Sequence, residues 1–211
     1  MTHEKNVTTR TTSEKENLTS SIKRSANECI TDWVNHSYLI TCFNFDPSAT
    51  YHLIEIASLD SDGNQLHHIF SPKNRQNLSE KWFKRQSMTP IDFHRAVRWS
   101  FLKEDLFAVF NHSRYTYRLT DKASLLNAIL HKSYKEKVTY PAFTNVMDIF
   151  SQLRTSHSHQ ETLASFYWKG GLEKNTLKSR ELSRLRPVYR CQVIHEFLQN
   201  YASLQSPKAR K

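Results

Sequence analysis

Residues 38–72 read YLITCFNFDPSATYHLIEIASLDSDGNQLHHIFSP, and the fold turns on how this stretch divides. Residues 38–45 are rich in β-branched and aromatic side chains and stop at Asp46-Pro47, a turn signal, so they read as a strand. Residues 51–59 alternate, with Leu53, Glu55, Ala57 and Leu59 on one face and His52, Ile54, Ile56 and Ser58 on the other. Residues 65–70 follow Asp60-Ser61-Asp62-Gly63-Asn64, where the glycine supplies the backbone freedom of a tight hairpin. The expectation is a strand, a short connection and then a hairpin.

Working outward, residues 1–16 are rich in Thr, Lys and Glu and read as disordered or loosely helical. From Leu18 an irregular helical spacing runs through Ile22, Cys29 and Ile30, and Trp33 and Val34 should pack on the domain or on a partner. After the hairpin, residues 77–86 read as a short helix. Thr89-Pro90 then opens another, running through Ile91, Phe93, Ala96, Val97, Trp99 and Phe101, with a capping residue before a proline at the first helical position. Residues 105–111, DLFAVFN, form a short apolar run and read as a fourth, buried strand. A helix over 113–133 follows, then a short fifth strand over 138–143 interrupted at Pro141, and a helix over 145–153. Beyond a polar loop at 155–160, a helix over 161–168 stops at Gly170-Gly171, and residues 172–185 are basic and helical in pattern. Pro187 opens the last helix, with Val188, Val193, Ile194, Phe197, Leu198 and Tyr201 at core spacing, and SPKARK ends the chain.

The chain has 30 Lys and Arg against 20 Asp and Glu, a net charge of +10 that suits an anionic partner, most simply nucleic acid. With 38% hydrophobic residues it can build a core. Three scattered cysteines, Cys29, Cys42 and Cys191, argue against a disulfide framework or a zinc site and point to a reducing, cytoplasmic compartment. The first 25 residues lack the apolar core of a signal peptide, and no segment approaches a membrane span, so no membrane partner is expected. The histidines are dispersed, without His-x-x-x-His on a convincing helix, and read as ordinary surface or partly buried residues. Three glycines in the whole chain exclude the glycine-rich nucleotide loops, and no Gly-x-Ser-x-Gly is present.

LIEIASLDSDGNQLHHIFSP resembles the start of a DEDD-type 3′→5′ exonuclease domain of the proofreading and ribonuclease T group. That family has a similar strand, an Asp-Gly hairpin and a Phe…Pro ending. Trp82-Phe83 followed by Arg85-Gln86-Ser87 is similar to a short feature of some phage-associated exonucleases in the same superfamily. The resemblance implies an α/β, ribonuclease H-like fold: a mixed five-stranded sheet flanked by helices. It divides the chain into an N-terminal extension (1–36), an exonuclease-like domain (37–204) and a basic tail (205–211).

The family holds two divalent metals with four acidic side chains, because Mg²⁺ takes hard oxygen ligands that the cations keep from repelling one another. Where the family has Asp-x-Glu, this chain has Asn44-Phe45-Asp46. The second motif, His-Asn-x-x-Phe-Asp after the fourth strand, is matched to Phe110–Tyr115, which sets Tyr115 at the metal-binding position beside Arg114. The last motif, a His followed five residues later by an Asp, is matched to Arg186 and Cys191. Asn44, Asp46, Tyr115, Arg186 and Cys191 are thus a degenerate site expected at one end of the sheet, with one carboxylate of four retained. Glu55, Asp60, Asp62, Asp92 and Asp148 form no recognisable ligand set, and Cys191 with His195 reads as core packing.

The expected function is a catalytically inactive exonuclease-like module that binds nucleic acid, single-stranded, through a basic surface. Arg114, Arg186 and Arg190 would contact phosphate, and Tyr115 and Tyr117 would stack on bases or fill the emptied pocket. No cofactor is expected. Two alternatives stay open. One is a regulatory protein-interaction subunit that meets its partner through the N-terminal helix. The other is an active nuclease with an atypical Mg²⁺ or Mn²⁺ site.

Overall fold

The structure, a computed structural model, describes residues 26–46, 52–73, 78–134, 142–152 and 186–205. The opening stretch forms β1 (Tyr38–Phe45), β2 (Leu53–Asp60) and β3 (Gln65–Ile69). With β4 (Tyr117–Thr120) and β5 (Thr144–Asn145) they make one sheet in the order β3-β2-β1-β4-β5. The short connections leave β1–β2 and β2–β3 antiparallel, whereas β1–β4 and β4–β5 are parallel and need crossovers. Helix α2 (Glu80–Gln86), a 3₁₀ turn (Pro90–Arg95) and α3 (Trp99–Phe110) make the first crossover, and α4 (Ala123–Tyr134) lies in the second. β1 and β2 are buried on both faces, as strands in the middle of a layered α/β domain must be.

One face of the sheet packs Ile40, Cys42, Ala57 and Leu59 against Phe150 of α5 (Val146–Gln152) and against Ile194, Phe197 and Leu198 of α6 (Pro187–Gln205). The same cluster holds Ile30 and Trp33 of helix α1, residues 26–35. The preceding helix is therefore part of the core. Trp33, 4% exposed, is occupied inside the chain and is not available as a docking residue. The other face packs Leu39, Phe43 and Ile56 against Leu106 and Phe110 of α3 and Leu126, Ile129 and Leu130 of α4. A smaller cluster, Ile54, Leu78, Trp82, Met88 and Phe93, fixes α2 and the 3₁₀ turn to the end of the hairpin.

The sheet and its helical layers agree with the expected ribonuclease H-like architecture, but two elements differ. The stretch 105–111 is not a strand: Asp105–Phe110 is the second half of α3. The apolar positions run 99, 102, 106, 109 and 110 from the N-terminal side, a helical period that outranks the local apolar run. The fourth strand therefore falls later, at Tyr117–Thr120, inside the segment expected to be helical, and the helix after it starts at Ala123. The helix expected from Thr89 is a 3₁₀ turn, followed by α3 from Trp99. The fifth strand is Thr144–Asn145; residues 138–141 of its expected span lie outside the described residues, as do 1–25, the helices over 161–168 and 172–185, and the tail.

Candidate functional site

β1 ends with a register shift between Asn44 and Phe45: Asn44 pairs with Glu55, and Phe45 with Leu53. Such an irregularity re-aims the side chains around it. Asn44, Asp46 and Glu55 are buried there, 5%, 0% and 0% exposed. The start of α6 comes over the same end of the sheet and brings Arg186 and Arg190, four residues apart and so on one side of the helix.

Arg190 is 3% exposed. Its Nη1 donates to Asp121 Oδ2, and its Nη2 donates to the Phe43 carbonyl at 2.6 Å and to Asn44 Oδ1 at 3.0 Å. Asn44 Nδ2 in turn donates to Glu55 Oε2 at 3.3 Å. Glu55 Oε1 accepts from Arg186 Nε at 2.8 Å and lies 2.8 Å from His67 Nε2. Arg186 Nη1 reaches Asp92 Oδ1 at 2.9 Å, and Asp92 Oδ2 accepts from the Thr89 backbone N–H and hydroxyl at 2.6 and 3.0 Å. Two guanidinium groups are thus threaded among Asp121, Asn44, Glu55 and Asp92. Burial works against both cations, but the facing carboxylates outweigh it and raise Arg186 and Arg190 above the ordinary arginine value. For Asp92, burial raises the carboxyl, yet the bonds from Thr89 and the charge of Arg186 leave it below the usual range.

The structure brings together Asn44, Asp46, Arg186 and Arg190 and separates the rest of the expected set. Tyr115 lies at the opposite end of the sheet. Its hydroxyl donates to Asp60 Oδ2 at 3.3 Å, and Asp60 pairs with Leu39. Leu39 is five residues along β1 from Asn44, roughly 17 Å at about 3.3 Å per residue. Arg114 is there too, bonded to Asp60 and Tyr115, its guanidinium 4.6 Å from the Tyr115 ring. Tyr117 pairs with Tyr38 and donates its hydroxyl to Asp32 of α1. The register of the second motif is therefore corrected. Because α3 displaces the fourth strand, the loop 111–116 enters that strand rather than leaving it.

The residues after the fourth strand are Asp121-Lys122-Ala123-Ser124-Leu125-Leu126. Asp121 is the residue of this stretch that meets Arg190, while Leu126 is a fully buried core residue. Cys191 faces the middle of the sheet, its thiol 3.3 Å from the Ala57 carbonyl, and the α6 side chain that meets Asn44 is Arg190. Sequence reasoning missed Asp121, and it set Glu55 and Asp92 aside. The signal for Asp121 is a β-prone YRLT ended by Asp and followed by the helix formers Ala-Ser-Leu-Leu.

Asn44, Asp46 and Glu55 thus share this end of the sheet with two guanidinium groups, and it is Arg190 that meets Asn44. Among the described residues, no group of three or more His, Cys, Asp or Glu side chains is arranged to hold a metal ion.

No family profile and no curated protein matches the chain. Solved structures do match. Cell-death related nuclease 4 (CRN-4) is 12% identical with a TM-score of 0.59, over 80% of this chain and 64% of that one. A full-length 3′-exonuclease is 14% identical with a TM-score of 0.55, over 80% and 81%. The nuclease domain of 3′hExo, a DEDDh family member bound to rAMP, is 15% identical with a TM-score of 0.54, over 78% and 92%. The chain therefore spans just under two thirds of CRN-4 and most of the other two. At these identities the likeness shows the fold alone: a mixed five-stranded α/β sheet flanked by helices, as in these nucleases.

Proposed function

We propose that this protein is a catalytically inactive nuclease-fold module that binds single-stranded nucleic acid without hydrolysing it. The observation that carries the reading is Arg190, buried between Asn44 and Asp121. Two-metal hydrolysis draws its rate from cations that polarise the phosphate and activate water. A fixed guanidinium at that point repels a divalent cation and fills its space. The net charge of +10 and the likeness to nucleases support an anionic polymer as the partner.

The test is a paired assay on the full chain, binding and degradation of labelled single strands with and without Mn²⁺. Binding without degradation above background is expected. Robust Mn²⁺-dependent degradation that Asp46→Ala abolishes would establish instead an active nuclease with an atypical site. Phe101, 71% exposed on α3, favours a second reading, a regulatory subunit that keeps the fold as a scaffold for a protein partner. In that case neither DNA nor RNA strands bind at low salt.

A further inference from the structure

The arginines of the pocket are poor phosphate ligands, because their donors are already committed. Arg190 is spent on Asp121, Asn44 and a carbonyl, and Arg186 on Glu55 and Asp92. Arg114 lies at the far end of the sheet, its Nη2 on Asp60. If the chain holds a polyanion at the pocket end, other cations must do it.

Residues 78–98 supply them. This segment carries Lys81, Lys84, Arg85, Arg95 and Arg98 against two acids, Glu80 and Asp92. Both acids are taken: Glu80 lies 2.8 Å from Lys84 Nζ, and Asp92 holds Arg186. Lys81, Arg85, Arg95 and Arg98 are all exposed and have no ion-pair partner among the described residues. Their placement is rigid. Trp82, Met88 and Phe93 pack with Ile54 in one cluster, so α2 and the 3₁₀ turn form a single body. Lys81 and Arg85 are one turn apart on α2, and both are exposed while Trp82 is buried. Arg95 and Arg98 flank the strand-like stretch at Val97, whose N–H donates to the Ile69 carbonyl at 3.0 Å and which bridges Phe70 in parallel.

This shelf stands at the pocket end of the sheet. β3 and β1 are both antiparallel to β2 and so run the same way, and the Phe70 N–H at the end of β3 donates to the Ile54 carbonyl at 2.7 Å. The Asp92–Arg186 pair ties the shelf directly to the start of α6. There Tyr189, 51% exposed, offers a ring next to Arg190 on which an unpaired base can stack.

We propose that Lys81, Arg85, Arg95 and Arg98 form the phosphate track of this module, along which a single-stranded nucleic acid runs towards Tyr189; this rests on the nucleic-acid-binding reading above. Each phosphate contact on a single strand contributes about 0.7 to the slope of log K against log salt. The experiment compares three full-length proteins by fluorescence anisotropy with labelled 20-nucleotide deoxythymidine and uridine strands, from 50 to 200 mM KCl. They are the natural chain, the Lys81→Gln, Arg85→Gln, Arg95→Gln, Arg98→Gln variant, and a control with the same charge loss at Lys103, Lys208, Arg210 and Lys211.

The track variant should lose at least tenfold in affinity at 100 mM KCl and about 2.8 of salt slope, four contacts at about 0.7 each. The control should stay within threefold, and all three proteins should share one thermal midpoint. A track variant that binds as tightly as the natural chain, or a control that weakens equally, overturns the track while leaving nucleic-acid binding intact. A natural chain that binds neither strand at 50 mM KCl overturns the functional reading itself.

Discussion

Arg190 and Asp121 show how a buried ion pair is held at the end of a sheet. The side chains are 4% and 5% exposed, so neither charge has water to fall back on. Removing one partner leaves the other charge buried and alone, at a cost of about 3–5 kcal/mol, whereas replacing both with apolar groups is often neutral or better. Arg190→Met should therefore lower the urea midpoint steeply, and Arg190→Met with Asp121→Leu should recover most of it. The recovery is favoured because Arg190 Nε and Asp121 Oδ1 are buried without a hydrogen-bond partner among the described residues. A double variant no more stable than the single one would show that the bonds to Asn44 and Phe43, not the pair, dominate. At this scale the sequence revealed Asn44 and Asp46, which are tied by a few residues to a hairpin with a strong signal. Arg190 meets Asp121 across 69 positions, and pattern matching could align them only by first placing the fourth strand correctly.

The elements differ in how plainly the sequence announces them. β1 to β3 are contiguous, bounded by turn residues and closed by Gly63 at φ 86, so their signal is local. The four-residue β4 has only a weak local signal, the β-prone YRLT before Asp121. It is a strand because β1 offers it a parallel edge and its Leu119 packs with the α1, α5 and α6 side chains, both of which are tertiary facts. Helix α1 is a similar case: its irregular spacing left open whether Trp33 served the domain or a partner, and contact with the α6 layer decides it. Trp33→Ala should destabilise the chain by about 3–5 kcal/mol, the usual cost of emptying a large buried aromatic site, read as a shift in denaturation midpoint. A change within experimental error would place α1 outside the cooperative fold.

The whole molecule should be acid-sensitive in two stages. Burial depresses the imidazoles of His68 and His195 below the ordinary value. Their unfolded forms bind protons more readily, so stability is complete above about pH 6.5 and declines as pH falls from there towards the folded values. For Asp60, burial raises the carboxyl, but bonds from the Asn64 side chain and backbone and from the Asp62 N–H, with the nearby Arg114, lower it overall. Asp92 is lowered as well. These two contribute stability above about pH 3.9 that is lost as pH falls through their folded values. Thermal midpoints from pH 3 to 8 should show both limbs, and His195→Gln should shrink only the upper one. A flat profile between pH 5 and 7 would mean that the two histidines stay solvated. The fold class was readable at this scale because strand order follows from connection lengths; the make-up of the buried pocket was not, because it depends on which side chain of α6 meets β1.

The way Arg190 is held also constrains the order in which substitutions can accumulate. An acid placed at 190 while Asp46, Asp121 and Glu55 remain would set four carboxylates at one dry end of the sheet with only Arg186 beside them. Such a first step loses folding stability before any ligand can compensate it, so substitutions at this end of the sheet should survive in pairs rather than singly.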